Sequence, residues 1–474
     1  MSKLKGFVRS ALQVAPFILS NTLTIIPYFL FLNLNDGLTL EKVLPFVLFY
    51  TFRMTGIFLL KSFKLALTSF NILIISILIG GAGCFIGVLG HFYFPAYLLS
   101  AVLIGLSTSW LPAANTTVNY HEKHQGNSTS IGRKYLFILL ILGGVMASMM
   151  LTKEWRTTVV LGEYVLLYVA AYHTVTHYPD YEIDFNEVDQ QVISVKEFFL
   201  FLSFFILLLF IRSARLLFDS QLLDIGLMGF SILFVIAAWY LNRQRKMWKL
   251  PLWMNLLTFA NGMCMNFLML FGTFYVAIRF VNRLIFNLYL PYIFGIICAA
   301  FFIKLLYRLF STVDPKLVHL GSYIVSLLFL LSSSLFPVGI LLLSCTINAT
   351  GAFLNRNYYQ EEVLPQDQRI ITKYSTQTKG SITHQLLMMS LLWVLAKQEE
   401  LPVKTVLQIT GHRTKNPTAV HLVEMVHMVS IVGLMLFFSF IVFIVIKKDS
   451  SEEKSQLYPN DVKTVKKHKR ILKI

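Results

Sequence analysis

Apolar residues in this chain gather into long unbroken runs rather than alternating with polar ones. Some fourteen such runs follow one another from Leu12 to Ile446 with short polar gaps. They fall roughly at 12–33, 43–60, 67–89, 94–113, 135–152, 157–177, 197–211, 222–241, 253–277, 285–303, 317–334, 337–355, 382–396 and 418–446. A transmembrane helix needs about 20 mostly apolar residues. Lipid offers no water to backbone N–H and C=O groups, so each run is expected to satisfy its own backbone as a helix. A membrane β-barrel would need short segments of alternating polarity, and Phe198 to Phe210 do not alternate. The expectation is an all-α integral membrane protein with 14 transmembrane helices.

The polar gaps divide these spans into six, two and six. An acidic connector at 178–196 carries Asp180, Glu182, Asp184, Glu187 and Asp189. A basic one at 242–252 follows the next two spans. The expected domains are an N-terminal six-helix bundle with its acidic connector (1–190), two linker helices (191–250), a C-terminal six-helix bundle (251–446) and a basic cytoplasmic tail (447–474). Within the last bundle, 356–381 reads as a polar loop. The tail lacks an apolar period and reads as unstructured or lying on anionic lipid.

Composition changes the picture in one respect. The chain is 56% hydrophobic and 14% charged, with a net charge of +17. With the N-terminus inside, about 29 Lys and Arg residues fall on the cytoplasmic side against about 11 outside. The basic excess therefore reports topology, with both termini cytoplasmic, and no nucleic-acid partner is expected. Cys84, Cys264, Cys298 and Cys345 all lie within spans and form no C-x-x-C pair, so they read as small packing residues. The first apolar run is too long for a cleavable signal and holds Asn21 and Pro27; it reads as the first span.

Several local patterns occur in a telling order. The second span ends Gly56-Ile57-Phe58-Leu59-Leu60-Lys61-Ser62-Phe63-Lys64. The fourth contains Ala101, Gly105 and then Pro112-Ala113-Ala114-Asn115, and the fifth contains Gly143-Gly144. Trp155-Arg156 opens the sixth, and Pro251-Leu252 precedes the ninth. Together with the six–two–six order, this resembles the major facilitator superfamily, and within it the fourteen-span drug:proton antiporters. The resemblance covers nearly the whole chain. It departs where the family carries coupling groups: Leu60 stands at the acidic position, Ala101 replaces an arginine, and the first span has no acid or base.

The resemblance implies a transporter working by alternating access of two six-helix halves, most simply exporting a hydrophobic or amphipathic small molecule. Its expected partners are the lipid bilayer of the cell membrane, a small amphipathic substrate and protons. With the usual coupling positions altered, Glu163 is the candidate proton-carrying acid: it lies about 10 Å into the sixth span. Hydrogen bonding to a neighbouring helix is an equally good account of it. Arg53 in the second span is a candidate for a charge pair with Glu163 or for an anionic headgroup, against simple snorkelling to the cytoplasmic face. Asn21, Tyr28, Trp110, Asn115, Asn261 and Asn266 are candidate cavity-lining residues, against plain interhelical hydrogen bonding.

Other polar groups read as interfacial. Arg212, Arg215, Asp219 and Asp224 are expected to form solvated pairs, and His173 and His177 to lie at a helix end. His421, Glu424 and His427 are compatible with a proton-sensitive cluster but also with a polar helix entrance. No catalytic constellation, metal motif or cofactor loop appears, so neither an enzyme nor a cofactor is expected. Lipid or lipid-precursor flipping and a transport-inactive membrane scaffold or sensor are the competing readings.

Overall fold

The computed structural model describes residues 12–34, 40–63, 68–126, 135–178, 181, 194–217, 220–243, 250–280, 285–401 and 417–457. Helices account for all the regular structure in these residues. In chain order they are α1 (Ala15–Thr22), α2 (Ile26–Leu34), α3 (Leu40–Ser62), α4 (Ser69–Leu89), α5 (Ala96–His124), α6 (Tyr135–Ser148), α7 (Lys153–Val175), α8 (Val195–Leu217) and α9 (Ser220–Arg243). Then come α10 (Leu252–Asn266), a π-helical segment (Phe267–Phe271), α11 (Gly272–Arg279), a second π segment (Ile285–Tyr289) and α12 (Leu290–Leu309). The last are α13 (Pro315–Leu330), α14 (Phe336–Gln360), α15 (Gln366–Gln398) and α16 (Pro417–Leu457).

Every predicted apolar run falls on a helix. Among the described residues nine helices are long and apolar enough to cross a membrane, and up to ten if α1 and α2, which meet at 51°, form one span. Three shorter apolar helices cover Phe137–Ser148, Gln221–Leu233 and Pro315–Leu330. The remaining run, 382–396, lies inside α15, whose polar first half dilutes its hydropathy.

Local chemistry explains the helix ends and the fate of the hydroxyls. Thr68 caps α4 by accepting from the Asn71 N–H, and Asp314 caps α13 by accepting from the Lys316 N–H at 2.8 Å. Both satisfy N–H groups a helix start leaves open. Within spans, Thr55, Ser76 and Thr258 donate to the carbonyl one turn back, which keeps these three hydroxyl protons from facing hydrocarbon alone. Rows of exposed apolar residues, such as Ile293, Ile297 and Phe301 on α12 or Leu436, Phe440 and Phe443 on α16, repeat at helical spacing. They form the faces a bilayer would cover.

The chain divides into two compact units. One comprises Met1–Met247, Asn355–Ile382 and Met389–Thr414; the other comprises Trp248–Leu354, Thr383–Met388 and Lys415–Ile474. In the first, α5 packs on α1, α3 and α4, α7 packs on α1 and α4, and α8 lies between α3 and α9. Glycines on α4 permit this closeness. A Cβ at Gly80 would run into the Tyr168 hydroxyl and Ser107 Oγ, and one at Gly83 would lie 2.9 Å from Leu103 Cβ. In the space so kept, Ser107 Oγ donates to the Ser76 carbonyl at 2.7 Å and lies 2.9 Å from the Tyr168 hydroxyl. Small residues at interfaces are how membrane helices approach without a hydrophobic driving force. In the second unit α16 packs against α10, α11 and α13.

Three expectations need correction. The stretch 356–381 is helical for most of its length: α14 runs to Gln360 and α15 starts at Gln366. Packing supplies what its composition lacks, since Lys373 and Ser375 are buried in the first unit. The last helix continues past Ile446 to Leu457, because charged residues such as Glu and Lys sustain a helix already nucleated by an apolar span. Arg212, expected in a solvated pair, is buried at 2% exposure. The acidic connector at 182–193, the basic connector at 244–249, Asp219 and the tail beyond Leu457 lie outside the described residues.

Candidate functional site

In the first unit, polar side chains converge where α1 turns into α2. Asn115 on α5 donates through Nδ2 to Ser20 Oγ at 2.8 Å, and the Tyr164 hydroxyl on α7 donates to Thr22 Oγ1 at 2.8 Å. Thr108 donates to Ile104 O at 2.7 Å and reaches Leu23 O at 3.5 Å, beside the break. Helix α5 therefore holds the interruption in place through two of its own residues. Trp110, two residues beyond Thr108, donates from its indole N–H to Gly56 O at 2.7 Å, joining α5 to α3.

The remaining candidates of this unit are dispersed. Asn21 is exposed and donates to Phe17 O of its own helix. Tyr28 makes edge contacts with Phe46 (5.0 Å between ring centroids) and Tyr50 (6.3 Å). Arg53 is half-buried on α3, one turn beyond Tyr50. Glu163 accepts from Ser148 Oγ at 2.6 Å through Oε1, and its enclosed Oε2 has no hydrogen bond among the described residues. Of the candidates, the structure brings Tyr28 against Phe46 and Tyr50, and Asn115 to the α1–α2 break.

In the second unit the span Leu252–Arg279 is continuous but carries a π-helical turn at Phe267–Phe271. Asn261 on α10 donates to the Tyr323 hydroxyl at 2.8 Å and to Ile347 O at 3.0 Å. Asn266, immediately before the first π segment, lies 3.0 Å from Nδ1 of His384. Within the segment Phe267 and Phe271 face the ring of His427, and Tyr275 and Phe336 complete an aromatic enclosure. The Tyr275 and His427 centroids are 4.1 Å apart. One turn before His427, Glu424 pairs with Arg279 at 3.0 Å, while His421 is exposed. The predicted 421/424/427 cluster thus separates into an exposed imidazole, an ion pair and an enclosed imidazole. π-Helical turns mark functional positions more often than regular helix does.

A polar cluster that hydropathy does not reveal lies in the first unit, at the ends of α4, α5, α14 and α15. His121 Nε2 faces Asp367 Oδ1 at 3.5 Å, and Tyr359 and Gln366 each lie 2.9 Å from His121 Nδ1. Asp367 also accepts from the Ser69 N–H at 2.9 Å, so its carboxylate sits on the N-terminus of α4. These residues, with Thr68, Phe70, His124, Gln125 and Tyr181, line a cavity of about 410 Å³. His121 and Asp367 lie 246 positions apart in the chain, and that separation hides the pair from any local sequence pattern.

Burial pushes the Asp367 carboxyl up, but the hydrogen bonds from His121 and Ser69 outweigh it and hold the group below the usual carboxylate range. A depressed folded value means the stabilisation is complete above the unfolded value and vanishes as pH falls through the folded one. Wild-type protein is therefore expected to lose thermal stability on acidification below about pH 4. Asp367→Asn is expected to be less stable than wild type above that pH, with the gap closing as pH falls further through the depressed folded value. Unfolding temperatures of both proteins across this range check the sign; a gap that widens on acidification would contradict it.

His319 has both ring nitrogens occupied, by Tyr307 and Thr350, which fits a structural role. His173 and His177 stack at 4.4 Å in exposed positions. Among the described residues no group of three His, Cys, Asp or Glu side chains is placed to hold a metal. Compared with models of protein families the chain matches none, and no curated protein matches it.

Proposed function

We propose that this chain is a membrane transporter of major-facilitator type, related in organisation to the fourteen-span drug:proton antiporters. It moves a hydrophobic or amphipathic small molecule by alternating access of two helical halves, most simply outward across the cell membrane, with both termini cytoplasmic. The observation that carries this reading is that the opening span of each compact unit departs from regular α-helix. Helices α1 and α2 break at 51° in one, and in the other the continuous span Leu252–Arg279 passes through a π-helical turn at Phe267–Phe271. Irregular helices at corresponding places in two halves mark the binding region of many transporters: backbone groups freed at a break are tolerated only where they face protein or a cavity, and π turns gather at functional positions.

The polar side chains at each of these places support the same reading. Asn115, Thr108 and Tyr164 gather at the first, and Asn266, His384 and His427 at the second. Glu163 supplies the protonatable group for coupling in this scheme. The test is flux: purified protein reconstituted in liposomes is expected to move amphipathic dyes down an imposed gradient faster than protein-free liposomes. Ligand-dependent thermal stabilisation across a panel of dyes, drugs and lipids selects the substrate beforehand. Flux of labelled phospholipid without dye flux would favour flipping, and binding without any flux would favour a sensor.

A further inference from the structure

Arg212 on α8 is only 2% exposed, and its guanidinium carbon lies 3.6 Å from the centroid of the Tyr50 ring on α3. Among the described residues it forms no ion pair, and its Nε makes no hydrogen bond. Arginine stays charged in proteins and presents five N–H donors in a planar fork. An unpaired charge is among the costliest groups to enclose. The Tyr50 face offsets part of that cost through cation–π attraction, but it satisfies none of the donors. Among the described residues no carboxylate pairs with the Arg212 guanidinium, and an anion is the partner its chemistry calls for.

The surroundings indicate what kind of anion. Tyr50 lies nearly parallel to Phe46 at 6.4 Å, and Tyr28 meets both rings edge-on. Phe52 on α3 packs against Phe205 on α8 at 4.9 Å. The charged residues of the neighbouring elements are Glu41, Lys42, Arg53 and Lys61 on α3, Lys196, Glu197 and Arg215 on α8 itself, and Asp224, which is exposed, and Arg243 on α9. Of those on α3, Arg53 alone lies within a turn of Tyr50, and the side chains beside the guanidinium are aromatic. We infer that Arg212, seated on Tyr50, is the anchoring cation of a site for an amphipathic anion. A carboxylate, sulfonate or phosphate would meet the guanidinium fork, and an apolar body would lie along Tyr28, Phe46 and Tyr50.

The inference rests on the transport reading only in making this anion the cargo; binding is measurable without flux. The anionic group belongs either to a soluble amphiphile or to a membrane phospholipid. Full-length protein in a neutral detergent is titrated with dodecanoate and with dodecanol, and the unfolding temperature is followed. Dodecanoate is expected to stabilise wild type at concentrations where dodecanol does not. Arg212→Gln is expected to weaken the response at least tenfold, and Arg212→Lys to weaken it less, since lysine keeps the charge but not the fork. If phosphatidylglycerol, but not phosphatidylcholine, abolishes the dodecanoate response and co-purifies with wild type alone, the phospholipid is the ligand; otherwise it is the soluble anion.

Equal stabilisation of wild type by dodecanoate and dodecanol would overturn the proposal, as would an unchanged response in Arg212→Gln. Should that variant fail to fold, Arg212→Lys and the comparison of the two probes on wild type decide it. Dye flux that persists while anion selectivity is absent removes this inference and leaves the transport reading standing.

Discussion

Asn261→Ala is expected to lower the stability of the folded chain by about 1–3 kcal/mol, because it strips partners from two buried groups at once. The Asn261 side chain is fully enclosed and bridges the Tyr323 hydroxyl and the Ile347 carbonyl. In a membrane a single interhelical hydrogen bond averages only about 0.6 kcal/mol, since the unfolded helices also find partners. Two bonds from one amide, both to groups with no access to water, place Asn261 above that average. Asn266→Ala, which loses the single contact to His384, is expected to cost about half as much. Asn21→Ala should cost little, because Asn21 is exposed and bonds only within its own helix. Unfolding temperatures of the three variants give the ranking, and an Asn21→Ala penalty equal to that of Asn261→Ala would refute it.

Glu163→Gln is expected to leave the fold intact while lowering proton-coupled flux about tenfold or more, equivalent to about 1.4 kcal/mol in the barrier. Glutamine keeps the acceptor for Ser148 Oγ, so the α6–α7 contact survives. It also keeps the volume around the enclosed Oε2 position. What it removes is the capacity to take up and release a proton. In liposomes with a substrate gradient and varied pH, the variant should transport with a flattened pH profile and unfold within a few degrees of wild type. Unchanged rate and unchanged pH dependence would show that Glu163 carries no proton for this protein. The contact with Ser148 would then be its whole role.

Polar groups that join helices were legible in the sequence. Asn115, Trp110, Asn261 and Asn266 stand out in apolar runs, and each is buried and hydrogen-bonded between helices, which is the alternative to the cavity-lining role expected of them. The same reasoning missed Arg212, because an arginine near the end of a span usually reaches water. Here Tyr50 on another helix stacks on the guanidinium and encloses it. It missed His121 and Asp367 for a different reason: their pairing depends on the end of α5 lying beside the start of α15, which no local pattern records.

The helical, membrane-spanning character follows from the sequence alone. Lipid forces each long apolar run to satisfy its backbone internally, so run length and composition are enough to define a helix. Where helices stop, how they break and which charges they enclose were decided by packing. The polar first half of α15 is helical because the first unit surrounds Lys373 and Ser375. Arg212 and Asp367 acquire partners from residues more than a hundred positions away. A hydropathy profile averages over neighbours in the chain, whereas the free energy of a charge depends on its neighbours in space.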